Sequence, residues 1–238
     1  MEETGQQVGT GLTGKLIAWA GARYLLLLGV WSGLLFGAAG SLAWMRAWIC
    51  LGLWIVTVSV NIVVLLRKNP AVLVARMGKQ RFDAKFDKVL VPLLRGAALV
   101  IPILAGLDAV RYQWSSLPFW SIGPGLALHL AGDALLLATL IVNPYLAKEV
   151  RVQTERGHRV ISTGPYAYVR HPMYAGIFLL LASLPLVLGS WWILVPGCVI
   201  VVLFIVRTAF EDRMLRESLP GYDEYSKKTC YRLVPGIW

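Results

Sequence analysis

Six stretches of this chain, at about 24–44, 47–66, 89–107, 122–142, 173–188 and 191–206, are runs of Leu, Val, Ile, Ala, Gly and Trp with hardly a charge among them. A helix needs about 20 apolar residues to cross the hydrocarbon of a bilayer. As core helices of a soluble protein, six such runs in 238 residues would leave too little polar surface to cover them. Charged residues make up 15% of the chain, against roughly a quarter in soluble domains. The expected fold is an all-α integral membrane protein of about six transmembrane helices, with a further C-terminal helix and tail outside the membrane. The fifth and sixth runs are separated only by Gly189-Ser190 and read as one tight helical hairpin.

The basic residues set the expected orientation, because Lys and Arg flank the cytoplasmic ends of membrane spans. The 67–88 connection carries Arg67, Lys68, Arg76, Lys79, Arg81, Lys85 and Lys88; the 143–171 connection carries Lys148, Arg151, Arg156, Arg159 and Arg170. Six more follow Val206, whereas Arg46 and Arg111 are what the opposite side holds. Both termini and both long connections are therefore expected in the cytoplasm, and the net charge of +10 reflects this bias plus attraction to anionic headgroups. Basic residues spread along membrane edges without a binding motif do not point to nucleic acid. Lys15 and Arg23 before an apolar stretch resemble a signal peptide, but the stretch is too long and starts too late, and it reads as a span. Cys50, Cys198 and Cys230 are far apart with no metal spacing, so neither a disulfide nor a metal site is expected. With no repeat or linker, the chain reads as a single membrane domain, 1–142 supplying membrane helices and 143–238 the functional core.

Two polar clusters are not needed for topology. The first is GPYAYVRHPMYAG, residues 164–176. Gly164-Pro165 marks a turn, and Pro172 fits the first turn of a helix, where its missing N–H is no loss. That helix start offers unpaired N–H groups and a positive dipole end to an anionic group. Arg170, His171, Tyr166, Tyr168 and Tyr174 stand beside it, although Tyr and Arg also populate any membrane interface. The second cluster is RTAFEDRMLRESLPGYDEY, residues 207–225, in which the sixth run continues beyond the membrane as a helix. Arg207 and Glu211 share a face four residues apart, and Glu211 adjoins Asp212. Such carboxylates can accept from a ribose diol or face a cation; equally, they can simply solvate a helix end. Because the hairpin turns nearly midway between Pro172 and Arg207, His171, Tyr174 and Glu211 should meet in one pocket.

In order and spacing, these clusters together with the closing YRLVPGIW resemble the isoprenylcysteine carboxyl methyltransferase family and the related membrane phospholipid methyltransferases. The resemblance covers about 143–238. The family's Arg-His-Pro-x-Tyr-x-Gly motif appears as Arg170, His171, Pro172, Tyr174 and Gly176. Its acid pair appears as Glu211 and Asp212, preceded by Arg207, and its downstream Gly and tyrosines as Gly221, Tyr222 and Tyr225. Asp212 stands where the family has a second glutamate, one methylene shorter. The resemblance implies an S-adenosyl-L-methionine-dependent methyltransferase with a cytoplasmic cofactor pocket capped by the C-terminal helix, acting on a lipid-like or isoprenylated acceptor from the bilayer. It further implies that Gly164, Tyr166, Arg170, His171, Pro172, Tyr174, Gly176, Glu211, Asp212, Tyr222 and Tyr225 bind the cofactor, with Arg207 and Glu211 catalytic. A carboxylate acceptor needs a cation to align it, Arg207 or Arg232; an amine acceptor needs a proton acceptor, Glu211.

Two other readings stand beside this one. The tail YDEYSKKTCYRLVPGIW also resembles the end of membrane sterol reductases, which would imply NADPH-dependent reduction of a lipid double bond. A non-catalytic membrane protein would explain the spans but not the motif spacing. Within the membrane, Arg95 and Asp133 lie at similar depth and are expected to pair unless Arg95 turns to the cofactor cavity, with His129 a structural hydrogen-bonding residue.

Overall fold

The computed structural model describes residues 2–77, 84–146 and 150–238, without the side chains of 2–20, 74, 77 and 155. Lys15, Lys79, Arg81 and Lys148 therefore lie outside the described side chains. The described residues form helices and no strand. The α-helices are α1 (Glu2–Ala39), α2 (Met45–Lys68), α3 (Pro70–Met77), α4 (Asp87–Gly106), α5 (Ile122–Val142), α6 (Pro172–Leu188), α7 (Leu194–Ser218) and α8 (Tyr222–Lys228). A wider, π-helical stretch, Leu107–Tyr112, continues α4 until Gln113 ends it in a left-handed conformation.

Among the described residues, five segments are long and apolar enough to cross a bilayer: Gly21–Ala39, Met45–Lys68, Asp87–Tyr112, Phe119–Val142 and Leu194–Ser218. The chain is a multi-pass membrane protein. The sixth expected run, α6, is an apolar helix of 17 residues, at the short end of what spans a membrane. As the sequence suggested, α6 and α7 form a hairpin. It turns at Gly189, whose φ of +79° a side chain would strain.

Lipid tails are as apolar as a leucine side chain, so burying leucine gains little inside a membrane and helices associate where small residues let backbones approach. Helices α5 and α6 do so at Gly132 and Gly176. A Cβ on Gly132 would stand 2.8 Å from the Gly176 carbonyl oxygen, and one on Gly176 would stand 2.9 Å from that of Gly132. Gly106 fits as closely against α1, where a Cβ would lie 2.7 Å from the Ala39 nitrogen. Around these contacts, Leu35, Ala47, Ile101, Ala105, Leu188 and Ile200 form the apolar core.

Two polar clasps close the end of the bundle away from the motifs. Arg46 donates through Nη1 to the Leu186 carbonyl (3.0 Å) and through Nη2 to those of Leu117 (2.9 Å) and Pro118 (2.8 Å). Fully buried Asp108 accepts from the Ser115 N–H at 2.7 Å, from the Ser190 hydroxyl, and from the Trp192 N–H at 3.3 Å. These bonds satisfy the carbonyls that α6 leaves open at its end and hold the hairpin turn against α2 and α4. In the membrane interior, Asp133 accepts a hydrogen bond from Asn61 of α2 at 2.7 Å, the partner that the expected pairing with Arg95 had overlooked. His129 is buried, with Nδ1 3.4 Å from the Ser183 hydroxyl, a structural contact.

Candidate functional site

The motif segment at 164–171 is tied down before α6 begins. Gly164 takes φ +61° and starts a short 3₁₀ turn that buries Tyr166. The Tyr166 hydroxyl accepts from the Asn143 side-chain amide at 2.7 Å, and its carbonyl accepts from the Tyr225 hydroxyl at 2.7 Å. The tail then runs alongside: Arg170 N–H donates to the Tyr231 carbonyl at 3.0 Å, and His171 N–H to that of Arg232 at 2.9 Å. The C-terminal segment is thus part of the wall. Burial raises the pKa of the phenols of this wall, Tyr166, Tyr222 and Tyr225, deepening their preference for the neutral form; Tyr225 is pushed up to about 12.

Helix α6 opens with Pro172, and its first-turn N–H groups at Tyr174 and Ala175 point to the His171 carbonyl, at 3.1 and 3.3 Å. These two amides, which the sequence offered to an anionic ligand, are occupied by that carbonyl. The side chains face the other way. His171 and Tyr174 rings lie parallel within 4°, and the Tyr174 hydroxyl donates to Glu211 Oε2 at 2.6 Å. Glu211 Oε2 is also 3.9 Å from His171 Nδ1, so the hairpin brings His171, Tyr174 and Glu211 together. His171 Nε2 is buried and faces Asp212 Oδ1 at 3.8 Å, beyond hydrogen-bond distance.

Behind these groups lies a connection that sequence reasoning missed. Asp87, the first residue of α4, is completely buried and grips Arg207 with both oxygens, Nε to Oδ1 at 2.8 Å and Nη2 to Oδ2 at 2.9 Å. It also accepts the Val150 N–H at 2.8 Å, anchoring the 143–171 connection to the bundle. The remaining edge of the guanidinium donates through Nη1 to the Tyr174 hydroxyl at 3.0 Å. A bidentate pair of this kind fixes a plane as well as a charge. Arg207 therefore holds Tyr174, which holds Glu211. This changes the expectation for Arg207: the donors a carboxylate acceptor would use are engaged by Asp87 and Tyr174. The available sequence signal for Asp87 was an acid at the entry to an apolar helix in a strongly basic connection.

The side chains surround a cavity of about 100 Å³ that opens to the outside. Of the residues singled out in the sequence, Tyr166, Arg170, His171, Tyr174, Arg207, Glu211, Tyr222 and Tyr225 line it. Gly164, Pro172, Gly176 and Asp212 do not. Gly164 packs on Val142, Pro172 is buried at the helix start, and Gly176 is the α5 contact described above. Asp212 is 1% exposed and sits behind the wall, where Arg170 Nε (3.0 Å), Arg232 Nε (3.1 Å) and the Tyr222 hydroxyl (3.0 Å) converge on it. It organises the wall from outside. The sequence had overlooked Asn143, Tyr145, Arg151, His158 and Arg159, all from the 143–171 connection, which complete the lining.

The cavity is chemically mixed: Arg151, Arg159 and Arg170 can take an anionic group, Glu211 a cation or a diol, and the tyrosines an aromatic ring or a sulfonium. Residues 126–217 match the sequence profile of the isoprenylcysteine carboxyl methyltransferase (ICMT) family. The match begins in α5, earlier than the motif resemblance, includes both polar clusters through Glu217, and stops before Tyr222 and Tyr225. No curated protein matches the chain.

Proposed function

We propose that this chain, whose core from α5 through α7 matches the isoprenylcysteine carboxyl methyltransferase family, is a membrane methyltransferase that uses S-adenosyl-L-methionine to methylate a lipid-like acceptor. The observation that carries the reading is the mixed cavity in which His171, Tyr174 and Glu211 converge at the end of an apolar hairpin. S-adenosylmethionine carries a carboxylate, an ammonium, a diol, an aromatic base and a sulfonium, and each has a counterpart among the lining groups. The Glu211 carboxylate and the His171 ring beside it, whose Nε2 faces Asp212 at 3.8 Å, are the groups assigned to hold it. When bound, the cofactor supplies a methyl carbon made electrophilic by its positive sulfur.

The protein's part is alignment, because an in-line displacement gains most from holding the reacting atoms in position. Asp87 and Arg207 fix Tyr174, Tyr174 fixes Glu211, and the C-terminal segment fixes His171. A carboxylate acceptor would need alignment alone, with no group of the protein taking a proton. For an amine acceptor, the extra proton leaves the nitrogen after attack, and Glu211 is the group placed to receive it. By the distribution of basic residues, the cavity and both termini face the cytoplasm. The acceptor would enter laterally from the bilayer and the cofactor from the aqueous side.

The test is binding of S-adenosylhomocysteine against NADPH to the purified protein. S-adenosylhomocysteine should bind, and His171→Ala and Glu211→Ala should each weaken it by about 1.5–3 kcal/mol, the worth of a hydrogen bond to a charged group. NADPH binding without S-adenosylhomocysteine binding would favour a lipid double-bond reductase.

A further inference from the structure

A second feature lies on the outer side of the wall, around Asp212. Three guanidiniums, those of Arg170, Arg216 and Arg232, approach this one buried carboxylate at 3.0, 3.5 and 3.1 Å. One carboxylate balances one of them, a surplus of two positive charges that stands when Arg213 and Glu217, which offset each other, are counted as well. Arg213 adds a fourth cation; it is exposed and forms no ion pair or hydrogen bond among the described residues. Arg213, Arg216 and Arg232 line an open groove with Phe210, and Glu217 is its remaining acid. Nothing in the cavity chemistry above uses this groove.

Its depth indicates what it meets. The apolar part of α7 ends at Val206, and at a rise of 1.5 Å per residue Phe210 lies about 6 Å and Arg213 about 10 Å further along. The headgroup layer is roughly 5–8 Å thick on each face, and arginine stems reach back several ångström. Phe210 is 45% exposed and stacks on Phe86 at 5.2 Å, a pair suited to the boundary between acyl chains and headgroups. That stack sets the start of α4, with exposed Lys85 and Lys88, beside the groove.

We propose that this groove binds the headgroup phosphate of an anionic phospholipid, and that its occupancy is coupled to the cofactor cavity through Asp212 and Arg232. A phosphate satisfies the surplus guanidiniums in the planar, two-point manner that arginine favours. Arg232 links both sides: its side chain meets Asp212, and its carbonyl holds the His171 N–H. A lipid drawing Arg232 and Arg216 outward leaves Asp212 to Arg170, Tyr222 and His171 Nε2, 3.8 Å away, and shifts the tail segment that positions His171. The binding stands by itself; the coupling rests on the proposed methyltransferase.

Native mass spectrometry of the purified full chain, titrated with phosphatidylglycerol, phosphatidylcholine or inorganic phosphate, tests the site. Phosphatidylglycerol should be retained in preference to phosphatidylcholine, and Arg213→Gln and Arg216→Gln should each reduce retention about fivefold, the worth of one cation at an anionic surface. Equal retention of the two lipids, or variants that retain phosphatidylglycerol like the parent, would overturn the proposal. Competition by inorganic phosphate at equal concentration would assign the groove to a soluble anion and overturn the lipid assignment. In nanodiscs, added phosphatidylglycerol should change S-adenosylhomocysteine affinity in the parent but not in Arg213→Gln, which should behave as the parent does in pure phosphatidylcholine. No such change in a parent that binds both ligands would overturn the coupling. Arginine-dependent lipid retention by a protein that binds no S-adenosylhomocysteine would instead leave the groove standing and remove the methyltransferase reading.

Discussion

Replacing Asp87 with asparagine is the change whose consequence the structure defines most sharply. The carboxylate accepts three hydrogen bonds, two from Arg207 and one from the Val150 N–H, and both side chains of the pair are almost wholly buried. Asparagine keeps one acceptor oxygen but turns its NH₂ towards a guanidinium N–H, donor against donor, and leaves the Arg207 charge without its counterion. Breaking one side of a buried pair costs about 3–5 kcal/mol. Asp87→Asn should therefore be destabilised by that amount in a reversible detergent unfolding titration. The double variant Asp87→Asn/Arg207→Gln should be less destabilised than the two single costs summed, by a coupling of about 0.5–3 kcal/mol. Turnover per folded molecule should fall as well, since Tyr174 and Glu211 are held through Arg207. A cost below about 1 kcal/mol for Asp87→Asn, or strictly additive variants, would refute the view that this pair anchors the site.

Further outcomes follow from the same geometry. Gly176→Ala and Gly132→Ala should each cost about 1–3 kcal/mol in the same unfolding titration, because either Cβ meets a helix backbone at under 3 Å; the loss should appear in stability and not in cofactor affinity at saturating folded protein. Arg46→Lys should not rescue Arg46→Ala in thermal stability, since one ammonium cannot replace a planar fork that meets carbonyls at both the α6 end and Leu117-Pro118. The C-terminal wall should loosen in alkali. Burial raises Tyr225 from its ordinary 10 to about 12, so the unfolded chain releases the phenol proton more readily than the folded protein does. Its contribution is complete below about pH 10 and is lost progressively between about 10 and 12, which Tyr225→Phe should reduce when stability is followed against pH.

The helices were readable in the sequence because hydrocarbon imposes a length and an apolar composition on each span, and the hairpin because Gly189-Ser190 leaves no room for another connection. The meeting of His171, Tyr174 and Glu211 followed from that hairpin alone. What escaped were partners far apart in sequence. Asp87 lies 120 residues from Arg207, and no local pattern announces the pairing. Asn61 and Asp133 are likewise joined only by the packing of α2 on α5. The motif glycines misled for a different reason: Gly176 and Gly164 sit among ligand-type residues, yet their small size serves contacts with α5. Asp212 looked like a second ligand to the cofactor because it adjoins Glu211. Successive residues on a helix point about 100° apart, and that turn carries it to the outside of the wall.

Methyl transfer is decided by incubating the purified protein with methyl-labelled S-adenosylmethionine and a lipid extract of its host. Label should appear in a species that partitions into organic solvent, formed by the parent and lost in Glu211→Ala that remains folded. No labelled lipid-soluble product from a folded parent supplied with cofactor and extract, or equal labelling by the parent and Glu211→Ala, would contradict it.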